Sequence, residues 1–521
     1  MQQLRRASGI LLHPTSLPGR FGIGDLGSAA CRFIDFLAGS GQQLWQIMPL
    51  GPTSYGDSPY QTLSAFAGNP SLISLERLVE DQYLAPWDFL GAPDFPAQTV
   101  DYGPVIDYKQ RLLRLSFENF KSQQGGQHAA EFAAFSAANR GWLDDYSLFA
   151  ALKEHHGGAN WSHLEGDIAT RQPAALAHWK AVLSDAIQYH CYTQFQFYKQ
   201  WSALKRYANG KGIRIIGDIP IFVAYDSADA WSHPELFCFD EDGNPTLVAG
   251  VPPDFFSPTG QLWGNPLYRW DVMARDGYAW WIERFRAALQ QVDIIRLDHF
   301  RGFEACWAVP AGEETAAKGC WVKGPGADLF HALEQALGRL PIIVEDLGLI
   351  TRRVKALRDE LGFPGMKVLQ FAFTGDPDDA YLPHNYEHNC VVYTGTHDND
   401  TTLGWWNSLD QRARARVQVY LGRHGDDISW DMIRLALMSV ADLAIFPLQD
   451  VLGIGSEGRM NTPGRMSGNW GWRYTDGLLN DRVRERLRGL TEIYGRAPHA
   501  LKEEVDGAKE DEDGEAGEQP S

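Results

Sequence analysis

The chain of 521 residues is short of several things, and each shortage removes a class of protein. Its six cysteines, at positions 31, 191, 238, 306, 320 and 390, include no C-x-x-C pair. That spacing supplies neither a zinc site nor a disulfide framework, and it suits a reducing compartment. No apolar run is long enough to cross a bilayer. The N-terminal "MQQLRRASGILLHPTSLPG" has two arginines and then a four-residue apolar run, too short for a signal-peptide core or a span. A cytoplasmic protein without a membrane partner is therefore expected. Positive charge is scarce as well: 47 Lys and Arg face 66 Asp and Glu, a net charge of −19. That balance argues against a nucleic-acid partner. Internal repeats and Ser/Gly-rich linkers are missing. So is a phosphate loop, because "HPTSLPGRFGIG" lacks the G-x-G-x-x-G order.

What is present is ordinary soluble composition, 44% hydrophobic and 22% charged, with length for a large core. The segment 502–521, "KEEVDGAKEDEDGEAGEQPS", has nine acids and two lysines and so carries −7 of the net charge. Val505 is its one hydrophobic side chain larger than alanine, so the tail is expected to be disordered. The rest, 1–501, is read as a single catalytic domain.

Eight short apolar runs end in polar residues: 9–14, 44–50, 213–221, 293–300, 340–348, 366–373, 390–398 and 443–450. Each is composed as a strand buried on both faces would be. Stretches between the later runs read as amphipathic helix, such as "TRRVKALRDEL" (351–361). Eight strands interleaved with helices predict an α/β fold, a (β/α)8 TIM barrel. An open doubly wound sheet is the alternative. Six runs close on an acid or histidine: His13, Asp218, Asp298, Glu345, Asp398 and Asp450. In a barrel these ends share one rim, where active sites are built. About 160 residues separate the second and third runs, which predicts a mainly helical insertion over about 54–205, larger than any other. A second insertion is the stretch 250–266, whose glycines and prolines suit a turn-rich lid and equally an inert connection.

Three acids stand out: Asp298 in "RLDHF", Glu345 in "VEDLG" and Asp398 in "GTHDND". Residues two apart on a strand share a face, so Arg296 and Asp298 point the same way. An arginine there can pair bidentately with the carboxylate and hold it ionised. Glu345 follows the apolar "PIIV", where a dry setting would raise its pKa. Two carboxyls pushed apart in this way suit a nucleophile and a general acid/base. In the retaining glycosidase arrangement they sit roughly 5–5.5 Å apart. A structural ion pair at the rim remains open for Arg296 and Asp298. So does a metal site using Asp298/His299 and His397/Asp398, although adjacent strand residues face opposite ways and chelate poorly. Spacing alone does not choose sugars over other substrates.

Four stretches, "GDIPIFV" (217–223), "IIRLDHFRG" (294–302), "IIVEDLG" (342–348) and "YTGTHDND" (393–400), resemble the signature regions of the amylomaltase, or 4-α-glucanotransferase, family. "PLGPTSYGDSPYQTLSAFAGNP", "GVPPDFFSPTGQLWGNPLY" and "MNTPGRMSGNWGWR" resemble it too, and the likeness runs from about residue 5 to 497. The resemblance implies a barrel without a C-terminal β-domain. It implies Asp298 as nucleophile, Glu345 as general acid/base and Asp398 as transition-state stabiliser. Arg296, His397, His299, Tyr60, Ser58, Asp254, Gln261, Trp263, Asn265 and Asn469 are the expected substrate-binding residues. Tyr55 and Tyr102 match a secondary glucan site. Partners would be maltooligosaccharides and α-1,4-glucans, with no cofactor and no metal. A retaining α-glucan hydrolase and a non-catalytic glucan-binding protein are the competing readings.

Overall fold

The computed structural model describes residues 6–123, 127–253 and 257–498, leaving aside the side chains of Tyr55 and Gln127. Eight parallel strands form one sheet, one from each apolar run: β1 (Ala7–Leu11), β2 (Leu44–Gln46), β3 (Arg214–Pro220), β4 (Ile294–Asp298), β5 (Ile342–Val344), β6 (Gly365–Val368), β7 (Cys390–Tyr393) and β8 (Leu443–Pro447). Each strand pairs with the next except β5 with β6, and β8 pairs with β1. The seam between β5 and β6 is closed differently. Val344 N donates to Pro364 O (3.0 Å), and the next rung is a side chain, with Met366 N donating to Asp346 Oδ1 (2.7 Å). The other oxygen of Asp346 takes Arg358 Nη1 at 2.8 Å.

Alternation along the strands sorts the residues. Ala7, Leu11, Leu44, Ile216, Ile294, Ile343, Val391, Leu443 and Ile445 fill the barrel. Ile10, Trp45, Ile215, Ile295, Leu297, Val344, Val392 and Phe446 face the surrounding helices. Each fully buried aliphatic side chain contributes roughly 1.5–3 kcal/mol. Gly9 lies where β1 and β2 approach closely; a Cβ there would meet Leu44 O at 2.3 Å. The expected helix at 351–361 spans Arg352–Leu361. Thr351 caps its first turn by accepting Val354 N, and Gly362 ends it in the left-handed conformation.

Between β2 and β3 the chain forms mainly helices, the longest being Tyr102–Ser122, Arg140–His155 and Ser184–Gly210. Part of this insertion packs round a core of its own that includes Leu148, Phe149, Trp161, Ile168 and Trp179. After β8 the described residues form helices and turns, plus a bridge between Thr99 and Trp472. No helix among the described residues is long and apolar enough to cross a membrane. The segment 502–521 lies outside the described residues.

The stretch 250–266 is not loop throughout. Its flanks belong to strands Leu247–Val251 and Gln261–Pro266, which pair antiparallel and join Ala305–Pro310 and Cys320–Lys323 in a second, four-stranded sheet. Gly260 holds φ +68, and the described residues 252, 253 and 257–260 lie outside the strands.

Candidate active site

Inward alternation on β4 runs Ile294, Arg296, Asp298. The same face of β3 carries Ile216 and then Asp218, and the register sets Asp218 beside Arg296. Arg296 Nη1 reaches Asp298 Oδ1 at 3.0 Å and Asp218 Oδ2 at 2.5 Å. The expected bidentate pair is therefore a shared one: a single guanidinium nitrogen bridges two carboxylates. Tyr60 OH donates to Asp218 Oδ2 at 2.8 Å. Burial pushes the Asp218 carboxyl upward, against the pull of Arg296.

Glu345 directly follows β5, on the face of Ile343. Two backbone amides grip its carboxyl: His299 N on Oε2 (2.8 Å) and Leu347 N on Oε1 (2.9 Å). The first bond depends on an unusual backbone, since His299 has φ +53, a region costly for a residue with a side chain. His299 adjoins Asp298 in sequence, so this bond brings the two carboxyls together. Burial, then the neighbouring Asp298 charge, pushes Glu345 up to about 8. Burial lowers the His299 ring to about 3, which keeps it neutral.

Asp398 lies past β7 in a turn, its side chain about half exposed. Asn461 Nδ2 donates to its Oδ1 at 2.6 Å, and Arg459 Nη2 donates to its backbone oxygen at 2.8 Å. Asn461 N also donates to His397 O at 3.0 Å. Neither Asn461 nor Arg459 is singled out by the sequence, although Asn461 is the second residue of "MNTPGRMSGNWGWR". The buried His397 ring stacks on Tyr60, centroids 5.1 Å apart and planes 15° apart. Burial lowers its pKa, so it is neutral as well.

Asp298, His397, Asp398 and Asn461 border a cleft of about 570 Å³. Ser58, Tyr60, Gln261, Trp263, Asn265 and Trp470 also line it. Trp263 meets the His299 ring edge-on at 4.8 Å and donates Nε1 to Gln261 Oε1. Asn265 is more committed: its Nδ2 holds Val223 O at 2.9 Å. Asn469 does not join the lining. Its amide accepts Thr462 N and donates to Arg465 O, which pins the 462–469 loop. Tyr102 donates its hydroxyl to Trp470 O at 3.0 Å, behind the cleft wall. Tyr55 sits in the turn Tyr55–Asp57, and its side chain lies outside the described residues, as does Asp254. Among the described residues, no group of three or more His, Cys, Asp or Glu side chains is arranged to hold a metal ion.

Acids gathered at the C-terminal ends of parallel barrel strands define a (β/α)8 enzyme, and a cleft of aromatic faces and amide side chains suits a polyhydroxylated substrate. Comparison with known proteins narrows the class. The sequence model of the 4-alpha-glucanotransferase family matches residues 12–479. The 4-alpha-glucanotransferase of Synechocystis sp. is 54% identical over 496 residues, covering 94% of this chain and 98% of that protein. That of Thermus thermophilus is 50% identical, covering 95% and 100%. The amylomaltase from Streptococcus agalactiae in complex with acarbose superposes with a TM-score of 0.92 at 39% identity, covering 95% of this chain and all of that one. The chain belongs to the 4-alpha-glucanotransferase family.

Proposed function

We propose that the enzyme moves segments of α-1,4-glucan from a donor to the 4-hydroxyl of glucose or of another glucan, by double displacement. The observation that carries this reading is the pair of unlike carboxyls: Asp298 against Arg296 at 3.0 Å, and Glu345 pushed up to about 8. At pH 7 Glu345 is mostly protonated and can act as an acid. It gives its proton to the glycosidic oxygen as Asp298 attacks the anomeric carbon. The C–O bond to the leaving glucan breaks and a β-glucosyl ester of Asp298 forms. Glu345, now a base, takes the proton of the acceptor 4-hydroxyl. That oxygen displaces Asp298, and the α-linkage returns. The two carboxyls account for every proton, so no cofactor or metal enters the scheme.

Asp398, steadied by Asn461, grips sugar hydroxyls and stabilises the positive charge that develops on the ring. Arg296 holds the Asp298 side chain in place at 3.0 Å. His397, Tyr60, Ser58, Gln261, Trp263 and Asn265 contact the sugars, and Tyr55 with Tyr102 belongs to a secondary glucan contact. Residues 1–501 form the catalytic domain, and the enzyme works in the cytoplasm on maltooligosaccharides. Incubation with maltotriose tests the reading. A ladder of longer oligomers plus glucose at constant total reducing ends is expected; a steady rise in reducing ends would mean hydrolysis instead. A glycosyl adduct trapped on Asp298 would test the nucleophile directly.

A further inference from the structure

A second cleft, of about 430 Å³, lies outside the reaction cleft, between the helix Arg140–His155 of the insertion and the helix Ala279–Gln291 that precedes β4. Its bed is aromatic. Phe66 stacks on Trp142 (centroids 6.2 Å apart, planes at 12°) and meets Trp280 edge-on at 6.1 Å. Trp142 is only half-buried, so part of its ring surface is open. The buried Trp280 Nε1 has no hydrogen-bond partner. Around this bed three acids are met in pairs, Asp145 with Arg171 at 2.6 Å, Glu235 with His233 at 3.5 Å, and Glu283 with Arg286, while Asp229 and Asp276 accept the backbone amides of Ala65 and Ala279. The lining is thus polar without calling for a charged ligand. Asp145 keeps an oxygen beyond its bond to Arg171, and the Gln290 amide is exposed. Apolar faces flanked by hydrogen-bonding groups whose carboxylates already have partners fit a neutral, ring-shaped polyol.

The second cleft is joined to the first by one stretch of chain. Asp229, in its lining, accepts Ala65 N at 2.7 Å, and Ala228 N donates to Leu63 O at 2.9 Å. A few residues upstream, the same stretch carries Ser58 and Tyr60 into the reaction cleft.

We propose that this outer cleft, which neither Tyr55 nor Tyr102 lines, is a further α-glucan-binding site that holds one part of a long chain while another part reacts. The proposal rests on the α-glucan assignment above. Tethering of this kind raises the local concentration of reactive ends, so it favours polymers and leaves short oligomers indifferent. Gly141 offers a clean test. It lines the cleft within a helix, and a Cβ there meets no atom within 4 Å. Gly141→Gln fills the space without displacing a packed group, and Gly141→Ala is the control.

Calorimetric titration of Asp298→Asn protein with maltoheptaose should show one more bound chain than the same protein carrying Gly141→Gln, with Gly141→Ala unchanged. In the active enzyme, Gly141→Gln should leave kcat/KM for maltotriose within twofold and lower it at least fivefold for amylose. Trp142→Ala should act in the same direction. An unchanged stoichiometry, or an equal loss on both substrates, would overturn the proposal. If neither cleft bound maltoheptaose, the α-glucan assignment would fall with it.

Discussion

Replacing Glu345 by glutamine should weaken the fold in acid and strengthen it in alkali. The wild-type carboxyl moves from an ordinary value of 4.5 to about 8 on folding. The folded state therefore binds the proton more tightly, so this contribution to stability is fully present below pH 4.5 and is lost as pH rises through 8. At about 1.4 kcal/mol per pH unit, the loss between pH 4.5 and 8 is roughly 4–5 kcal/mol. Glutamine does not titrate and escapes that loss. It has one acceptor oxygen, however, where Glu345 offers two to His299 N and Leu347 N. Turning an amide NH2 toward one of those donors costs about 1–3 kcal/mol. The variant should thus be less stable than wild type by about that amount at pH 5, and more stable by about 2 kcal/mol at pH 9. Urea unfolding at both pH values, followed by tryptophan fluorescence, measures the crossing. A difference that stays flat from pH 5 to 9 would refute the raised pKa and the acid role built on it.

In the proposed mechanism the same group sets the alkaline limb of the rate profile. kcat/KM on maltotriose should fall above pH 8 with an apparent pKa near 8, as Glu345 loses the proton it must donate. Asn461→Ala removes a 2.6 Å bond to Asp398 and should cost about 10- to 100-fold in kcat/KM, the worth of a hydrogen bond to a charged group, with little change in melting temperature. Arg296→Leu leaves Asp218 and Asp298 facing each other without their shared cation. Activity should vanish and stability should drop by about 3–5 kcal/mol at pH 7, with partial recovery in acid as a carboxyl is protonated. Gly9→Ala drives a methyl into β2, 2.3 Å from Leu44 O, and should lower the melting temperature clearly without touching the acids.

Much of the fold was legible because a strand buried on both faces writes itself as a short apolar run. All eight runs coincide with the eight barrel strands, and Thr351 and Gly362 mark the ends of the helix between them. The second sheet was not legible. Its strand Gln261–Pro266 mixes Gln, Trp, Gly, Asn and Pro and is largely exposed, so it carries neither an apolar run nor strict alternation. Within the cleft, the pairing of Arg296 with Asp298 followed from strand periodicity. Its second partner, Asp218, is 78 positions away and depends on the β3–β4 register. Asn461 reaches Asp398 across 63 positions through a loop. The left-handed backbone of His299 had no glycine or asparagine to announce it. Asn469 looked like a free amide until the fold showed both its ends in use.

The seam between β5 and β6 gives the barrel a rung that titrates. Where a backbone carbonyl would grip an amide at any pH, Met366 N is held by Asp346, whose carboxyl burial moves upward. As pH falls, a proton on Asp346 loosens that grip and its bond to Arg358 together, while the carbonyl-held rungs are indifferent to acid. Amide exchange at Met366 should then outpace that of Val391 and Ile445. The wall would begin to unzip one residue from Glu345, so acid would erode the reaction centre before it melts the barrel.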